Sequence, residues 1–404
     1  MRRRGLLFMG VLTFIAFAFG RFQGGFVPWF LFYVSFILLL YVALVAFFAL
    51  RNPEVERVLS ASTATAGESL KVSIRYRIPA VIPPAWIWIR DVGDPKALTQ
   101  EGFTTLVPGF SREGVLEYGL YNLPRGRHRF HSIEVRSGDL FGLVEKRWNF
   151  SRANEILVYP RTREIRSWHT VNDRNTGRSF ATHRIGEDVT SVVGVRDYTD
   201  RDALSRIHWK ASARGQGLKA KEFEHRITND FMFVLDCHAA HFSGEGDPLF
   251  ERAVSLTASL ARFAVQRRFS AGVIAWGNRR LHLPPGRTPD HLSHLFEPLA
   301  VIQPQGQKRI ADVLLNESVY LPQGTTVVLV TPRLGEAEGN AISQLVLRKI
   351  KVEVFRVVGD GPLPGGETGV PGFLDSLGVR VYPVRNDAFE HLTGGGADYG
   401  SGSA

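Results

Sequence analysis

At 404 residues the chain is too long for one small core and long enough for two or three domains. Its formal net charge is +10, and the single cysteine, Cys237, excludes an intramolecular disulfide and every multi-cysteine zinc or iron–sulfur framework. The first 50 residues carry no Asp or Glu, only Arg2, Arg3, Arg4 and Arg21 as charges, and 11 of the 28 Phe, which excludes a plain soluble protein.

The apolar run Gly5–Gly20 would rise about 24 Å as a helix, short of a bilayer core of about 30 Å. Extended to Phe26, with Arg21 snorkelling to the interface, it is long enough. Pro28–Leu50 is apolar throughout, with Trp29 and Tyr33 near one end and Arg51 just past the other. Gln23-Gly24-Gly25 supplies the turn. The pattern predicts a transmembrane hairpin over residues 1–54, with spans at about 5–26 and 28–50. A signal peptide is the rival reading of the first run, because a basic start, an apolar stretch and Ala16-Phe17-Ala18 suit cleavage. The second helix would then still be an anchor. Arginines before the first span, and Arg51 and Arg57 after the second, place both ends in the cytoplasm by the positive-inside rule. The expected location is therefore the cell membrane, multi-pass, with the soluble domains cytoplasmic. The cationic surplus suits the anionic inner leaflet, and no nucleic-acid-binding signature accompanies it.

Residues 55–160 read as strands. Leu70–Ile78 alternates apolar and polar with period two, and Trp86–Ile89, Gly114–Tyr121, Ile133–Arg136 and Ile156–Tyr159 continue the series. Pro83-Pro84, Gly93-Asp94-Pro95, Pro124-Arg125-Gly126 and Ser137-Gly138-Asp139 separate them. Short strands at this spacing predict an antiparallel β-sandwich with nothing catalytic in it.

Residues 161–226 form a polar signature segment with 14 Lys or Arg against nine Asp or Glu, yet they hold Trp168, Tyr198, Trp209 and Phe223. Residues 227–390 alternate strands and helices. Strands are expected at Asp230–Leu235, Ala271–Trp276, Thr326–Val330, Val352–Val358 and Val379–Val384, with helices over Pro248–Arg268, from Pro289, and over Glu336–Lys349. That order implies a parallel sheet covered on both faces. Residues 391–404, rich in Gly and Ser from Gly394 onward, read as a flexible tail.

The signature carries a resemblance. Gly186-Glu187-Asp188, Val195-Arg196-Asp197-Tyr198, Asp202, the run from Arg206-Ile207-His208-Trp209-Lys210 to Ala211-Ser212-Ala213-Arg214, Leu218 and Lys221-Glu222-Phe223-Glu224 resemble the bacterial family called domain of unknown function 58. Arg125-Gly126 and Asp139-Leu140-Phe141-Gly142-Leu143 resemble it too, although Leu140 stands where that family usually has proline. The resemblance covers nearly the whole chain. It implies a cytoplasmic domain on a membrane hairpin, ending in an α/β region similar to von Willebrand factor A. It also implies as partners a MoxR-type AAA+ ATPase and a transglutaminase-like membrane protein.

Domains of the von Willebrand type hold Mg²⁺ through Asp-x-Ser-x-Ser at a strand end, and hard oxygen ligands suit that ion. Here Asp236 keeps the acidic place, while His238 and Ala240 replace the two serines, and Pro332 or Arg333 stands where a later acid is expected. The site reads as degenerate, with no metal and no cofactor. Cys237 reads as structural, and His238 and His241 as surface residues. His282, His291 and His294 read as solvated.

For Arg196, Asp197, Tyr198, Asp202, Arg206, Trp209, Lys210, Ser212, Arg214 and Glu222 two readings stand side by side. One is a structural clasp in which arginines and acids pair and Trp209 is buried. The other is a docking surface built from Arg196, Arg206, Lys210 and Arg214. The expected function is a non-catalytic, membrane-anchored interaction or assembly protein working with the ATPase. The alternative is a cell-envelope hydrolase using Asp197 or Asp202, which burial would have to give a raised pKa.

Overall fold

The computed structural model describes residues 4–49, 52–80, 84–94, 103–107, 111–168, 192–199, 207–214, 217–223, 230–321, 324–359, 369–386, 389 and 391–392. Asp202, Arg206 and the expected tail beyond residue 392 lie outside them. The chain divides into two compact units, Met1–Arg161 with Leu299–Val301, and Thr162–Pro298 with Ile302–Ala404.

The first unit opens with helices α1 (Arg4–Gln23) and α2 (Phe26–Leu44), and α2 runs on as a π-helical turn over Val45–Ala49. Both are long and apolar enough to cross a membrane. The turn between them needs left-handed backbone at Gly24 (φ 64°) and Gly25 (φ 87°), which glycine supplies without a Cβ penalty. Polar groups on the inner faces are satisfied: Thr13 donates to the Met9 carbonyl at 2.8 Å, and Ser35 to the Leu31 carbonyl at 2.7 Å. The outer faces present Phe8, Phe14 and Ile37. In a molecule surrounded by water alone such faces would be costly, whereas lipid would cover them without cost.

Eight strands follow: β1 (Glu54–Leu59), β2 (Thr63–Thr65), β3 (Leu70–Arg77), β4 (Trp86–Gly93), β5 (Phe103–Leu106), β6 (Glu113–Leu120), β7 (Gly126–Gly138) and β8 (Glu145–Tyr159). They form two sheets, ordered β1-β3-β6 and β2-β8-β7-β4-β5. The inward members of the alternation, including Val72, Ile74, Ile87, Ile89, Phe130, Ile133 and Ile156, join in one buried cluster drawn from both sheets. The expected antiparallel pattern holds except at β2, which pairs with β8 in parallel.

The second unit contains β9 (Ser167–Trp168), β10 (Val192–Asp197), the single turn α3 (Trp209–Ser212), β11 (Lys219–Phe223) and β12 (Asp230–Leu235). Next come α4 (Pro248–Gln266), β13 (Ser270–Trp276), β14 (Arg280–Gly286), α5 (Pro289–Val301) and α6 (Ile310–Ser318). It ends with β15 (Thr326–Thr331), α7 (Glu336–Leu347), β16 (Lys351–Val357), α8 (Val370–Ser376), β17 (Arg380–Val384) and β18 (His391–Leu392). The main sheet runs β14-β13-β12-β15-β16-β17, parallel apart from the edge strand β14. Its central strands are buried on both faces, hence the unbroken apolar runs of β12 and β15.

Two boundaries shift from expectation. Ser167–Trp168, placed in the polar signature segment, pairs with His391–Leu392, placed in the flexible tail. The cause is apolar burial: Trp168 packs on Phe231, Phe263 and Phe355, and its indole N–H donates to buried Glu353 at 2.8 Å. Leu392 and Phe389 are buried as well.

Candidate functional site

The central signature folds as a small ribbon. β10 and β11 pair antiparallel, with Arg196 opposite Ala220 and Asp197 opposite Lys219. α3 lies in the connection between them. Ile207 is buried and bridges Ala220, and the His208 N–H donates to the Lys219 carbonyl at 2.7 Å. His208 then caps α3, its Nδ1 accepting from the Ala211 N–H at 3.0 Å. Ser212 ties the turn down: its hydroxyl donates to the His208 carbonyl at 3.1 Å and accepts from the Lys219 N–H at 2.9 Å. The Tyr198 N–H donates to the Leu218 carbonyl. Ser212 is thus a fastener of this fold.

That geometry overturns the expectation that Trp209 is buried. It is the first residue of α3 and is 68% exposed, because Ile207 two residues earlier takes the inward place and His208 turns the chain. Lys210 and Arg214 are exposed on the same turn. Val195 and Leu218 add exposed apolar surface on the ribbon. Asp197 projects outward and accepts from Lys219 at 2.5 Å, an exposed ion pair that contributes little stability. Of the other signature residues, Arg196 and Glu222 are placed by backbone register in β10 and β11. Asp202 and Arg206 fall outside the described residues.

A second place to look is the carboxyl edge of the main sheet between β12 and β15, where the strand order reverses; open α/β sheets bind ligands in that crevice. Asp236 follows β12 and Thr331 ends β15. The buried Asp236 carboxylate accepts from the His238 N–H at 3.0 Å, from His241 Nδ1 at 2.8 Å and from the Thr331 hydroxyl at 2.8 Å. Both oxygens are engaged by the chain itself. The segment around Gly306 lies across the strand ends, its N–H donating to the Cys237 carbonyl at 2.8 Å. A Cβ at Gly306 would sit 2.1 Å from the Trp276 carbonyl oxygen, so only glycine fits. The Asp236 carboxylate and the Gly306 N–H are thus paired within the chain. Among the described residues no group of three His, Cys, Asp or Glu side chains is arranged to hold a metal ion.

Sequence reading missed several buried polar partners. His241, read as a surface residue, is bonded to Asp236 and largely covered. His282, read as solvated, bonds through Nδ1 to buried Glu317 at 2.8 Å, and Arg280 and Trp276 bond the same carboxylate. His291 bonds the Ala271 carbonyl at 2.8 Å, whereas His294 is exposed as expected. In the β unit Arg57 and Asp91 pair in full burial. Of these only Arg57 and Asp91, charged residues at inward positions of the alternating strands β1 and β4, left a signal that could have flagged them.

With this geometry in view, comparison with known proteins places the chain. Residues 194–354 match the model of the family described as protein of unknown function DUF58. The match takes in Val195–Glu222, the part of the signature that carries the resemblance, and over these residues the chain is similar to that family. An uncharacterised protein of Bacillus subtilis (strain 168), YeaD, is 28% identical over 386 residues, covering 87% of this chain and 95% of its own length. Among solved structures, a mutant of the PilB minor pilin from Streptococcus sanguinis is similar over 76% of this chain and 85% of its own, at 10% identity and a TM-score of 0.29. A CARDB domain of Pyrococcus furiosus matches 26% of this chain and 93% of its own, at 15% identity and a TM-score of 0.20. Scores this low carry no argument.

Proposed function

We propose that this is a membrane-anchored, non-catalytic interaction or assembly protein whose signature ribbon docks a MoxR-type AAA+ ATPase. Its α/β unit is read as similar to von Willebrand factor A with a degenerate metal site, and both ends as cytoplasmic. The observation that carries the reading is the exposure of Trp209 beside Lys210 and Arg214. Trp and Arg are the residue types that most often dominate binding energy at protein interfaces. A large aromatic held out on a short, well-fastened turn is hard to account for by stability, since its burial contributes little. The family resemblance supplies the class of partner. A transglutaminase-like membrane protein is a further partner on the same ground.

The hydrolase alternative requires Asp197 or Asp202 in a pocket; the Asp197 carboxylate stands on the surface in an ion pair with Lys219, and Asp202 lies outside the described residues. Affinity purification of the full chain from membranes, with its hairpin intact, tests the proposal. The MoxR-type ATPase should co-purify with the wild-type chain and be depleted when Lys210 and Arg214 are both changed to Glu. Its absence from the wild-type eluate would refute the reading.

A further inference from the structure

The turn Asp139–Val144, between β7 and β8, sits against the helix pair inside the first unit. Val144 forms a buried cluster with Val42 and Val45, with Leu6, Tyr41, Ala46 and Leu143 packed around it. Gly5 of α1 passes so near the Leu143 carbonyl that a Cβ there would lie 2.0 Å from its oxygen. The turn is built stiffly. Asp139 is fully buried and accepts from the Val144 N–H at 2.6 Å and the Phe141 N–H at 2.9 Å, and its carbonyl accepts from the Trp86 indole at 3.0 Å.

This scaffold holds two apolar side chains outward: Leu140 is 69% exposed and Phe141 61%. Phe141 meets Tyr41 of α2 edge-on, with ring centroids 6.0 Å apart. The Leu140 N–H lies 3.4 Å from the Tyr41 hydroxyl. Depth along α2 decides what surrounds them. From Phe26 to Tyr41 the helix rises about 22 Å, which is inside an apolar layer about 30 Å thick. Exposed Phe47 and Phe48 lie further along the same helix, so its apolar surface continues past the turn. The neighbourhood also has the composition of a membrane boundary. Tyr41 is joined by Trp148, whose indole N–H donates to Asn52 at 2.9 Å and whose ring lies 5.1 Å from the Lys146 ammonium. Amphipathic aromatics and cations of this kind settle at the headgroup level.

We infer that the Leu140-Phe141 tip is a third membrane contact, a reef of the β unit inserted into the acyl boundary of the leaflet beside the ends of the two helices. Its partner is the lipid bilayer. It would fix the β unit upright on the hairpin, adding a lipid contact to the covalent join. This rests on the reading of α1 and α2 as a membrane hairpin.

The test uses the full chain in liposomes of mixed neutral and anionic phospholipid, in a Cys237→Ser background. A polarity-sensitive dye is placed singly on Phe141→Cys, on Leu140→Cys as a second probe of the tip, and on Ile37→Cys within α2. Phospholipids spin-labelled near the top of the acyl chain should quench the dye at 140 and 141 about two-fold, and aqueous iodide should barely touch it, as expected for groups at the interface. Lipid quenching at 37 with iodide quenching at 140 and 141 would overturn the inference while leaving the anchor standing. Quenching at the tip by neither agent, with lipid quenching at 37, would mean that protein covers it, and would also overturn the inference. No lipid quenching at 37 would refute the hairpin itself, and the inserted tip with it.

Discussion

Arg57 and Asp91 form a two-pronged ion pair in which neither side chain has any solvent exposure. Arg57 Nε donates to Asp91 Oδ2 at 2.8 Å, Nη2 donates to Oδ1, and the Tyr118 hydroxyl donates to Oδ2 at 2.6 Å. The third guanidinium nitrogen, Nη1, bonds the Arg152 carbonyl and the Asn154 side chain, which joins β1 of one sheet to β8 of the other. Removing one partner strands a buried charge. Asp91→Ala should therefore destabilise the β unit by about 3–5 kcal/mol, whereas Arg57→Met with Asp91→Leu should cost far less. Denaturant unfolding of the detergent-solubilised chain measures both; equal losses in the two would show that the charges are not what matters.

Tyr382 predicts an alkaline limit for the α/β unit. Burial, reinforced by the negative charge of Glu353, pushes its hydroxyl from an ordinary 10.0 up to about 12. Because the folded value lies above the unfolded one, the contribution is fully present below about pH 10 and is lost as the pH rises toward 12. Tyr118 is raised in the same direction, again first by burial and then by Asp91. Thermal melting between pH 8 and 11 should fall above pH 10, less steeply in Tyr382→Phe. An identical slope in the variant would rule this residue out as the cause.

The proposed membrane topology rests on Arg2, Arg3 and Arg4 at the start of the chain and on Arg51 and Arg57 beyond α2. A reporter fused after Ala404 should score as cytoplasmic. A periplasmic or extracellular score would reverse the proposed orientation and remove a cytosolic ATPase from reach.

The carboxyl edge of the sheet should not act as a magnesium site, since His241, Thr331 and the His238 N–H already occupy Asp236. Calorimetry should give no saturable Mg²⁺ binding tighter than about millimolar, as hard oxygen ligands are too few. A micromolar isotherm lost in Asp236→Ala would mean that the cluster opens for the ion.

How far these features could be read in advance depended on periodicity. The alternation of Leu70–Arg77 and the unbroken apolar run of Thr326–Val330 announced a one-sided and a two-sided strand, and both formed. β1 escaped because Arg57 occupies an inward position, made tolerable by its pairing with Asp91, 34 residues away, and by its bonds to Arg152 and Asn154 on β8. Trp209 was misplaced for the opposite reason. Hydrophobicity argues for burial, but Ile207 had already filled the one inward place before the turn at His208. Partners distant in sequence, such as Glu317 for His282 and Glu353 for Trp168, leave no local trace at all.

Whether Trp209 is a docking residue is settled most directly by measuring folding and binding on the same variant. Full-length wild-type chain and Trp209→Ala, each in nanodiscs, would be melted and titrated with the purified MoxR-type ATPase. Melting should be unchanged to within about 0.5 kcal/mol, as for other exposed positions. Affinity should fall by about 2 kcal/mol, roughly 30-fold. Severe unfolding of Trp209→Ala, or a wild-type chain that never binds the ATPase, would contradict a docking role.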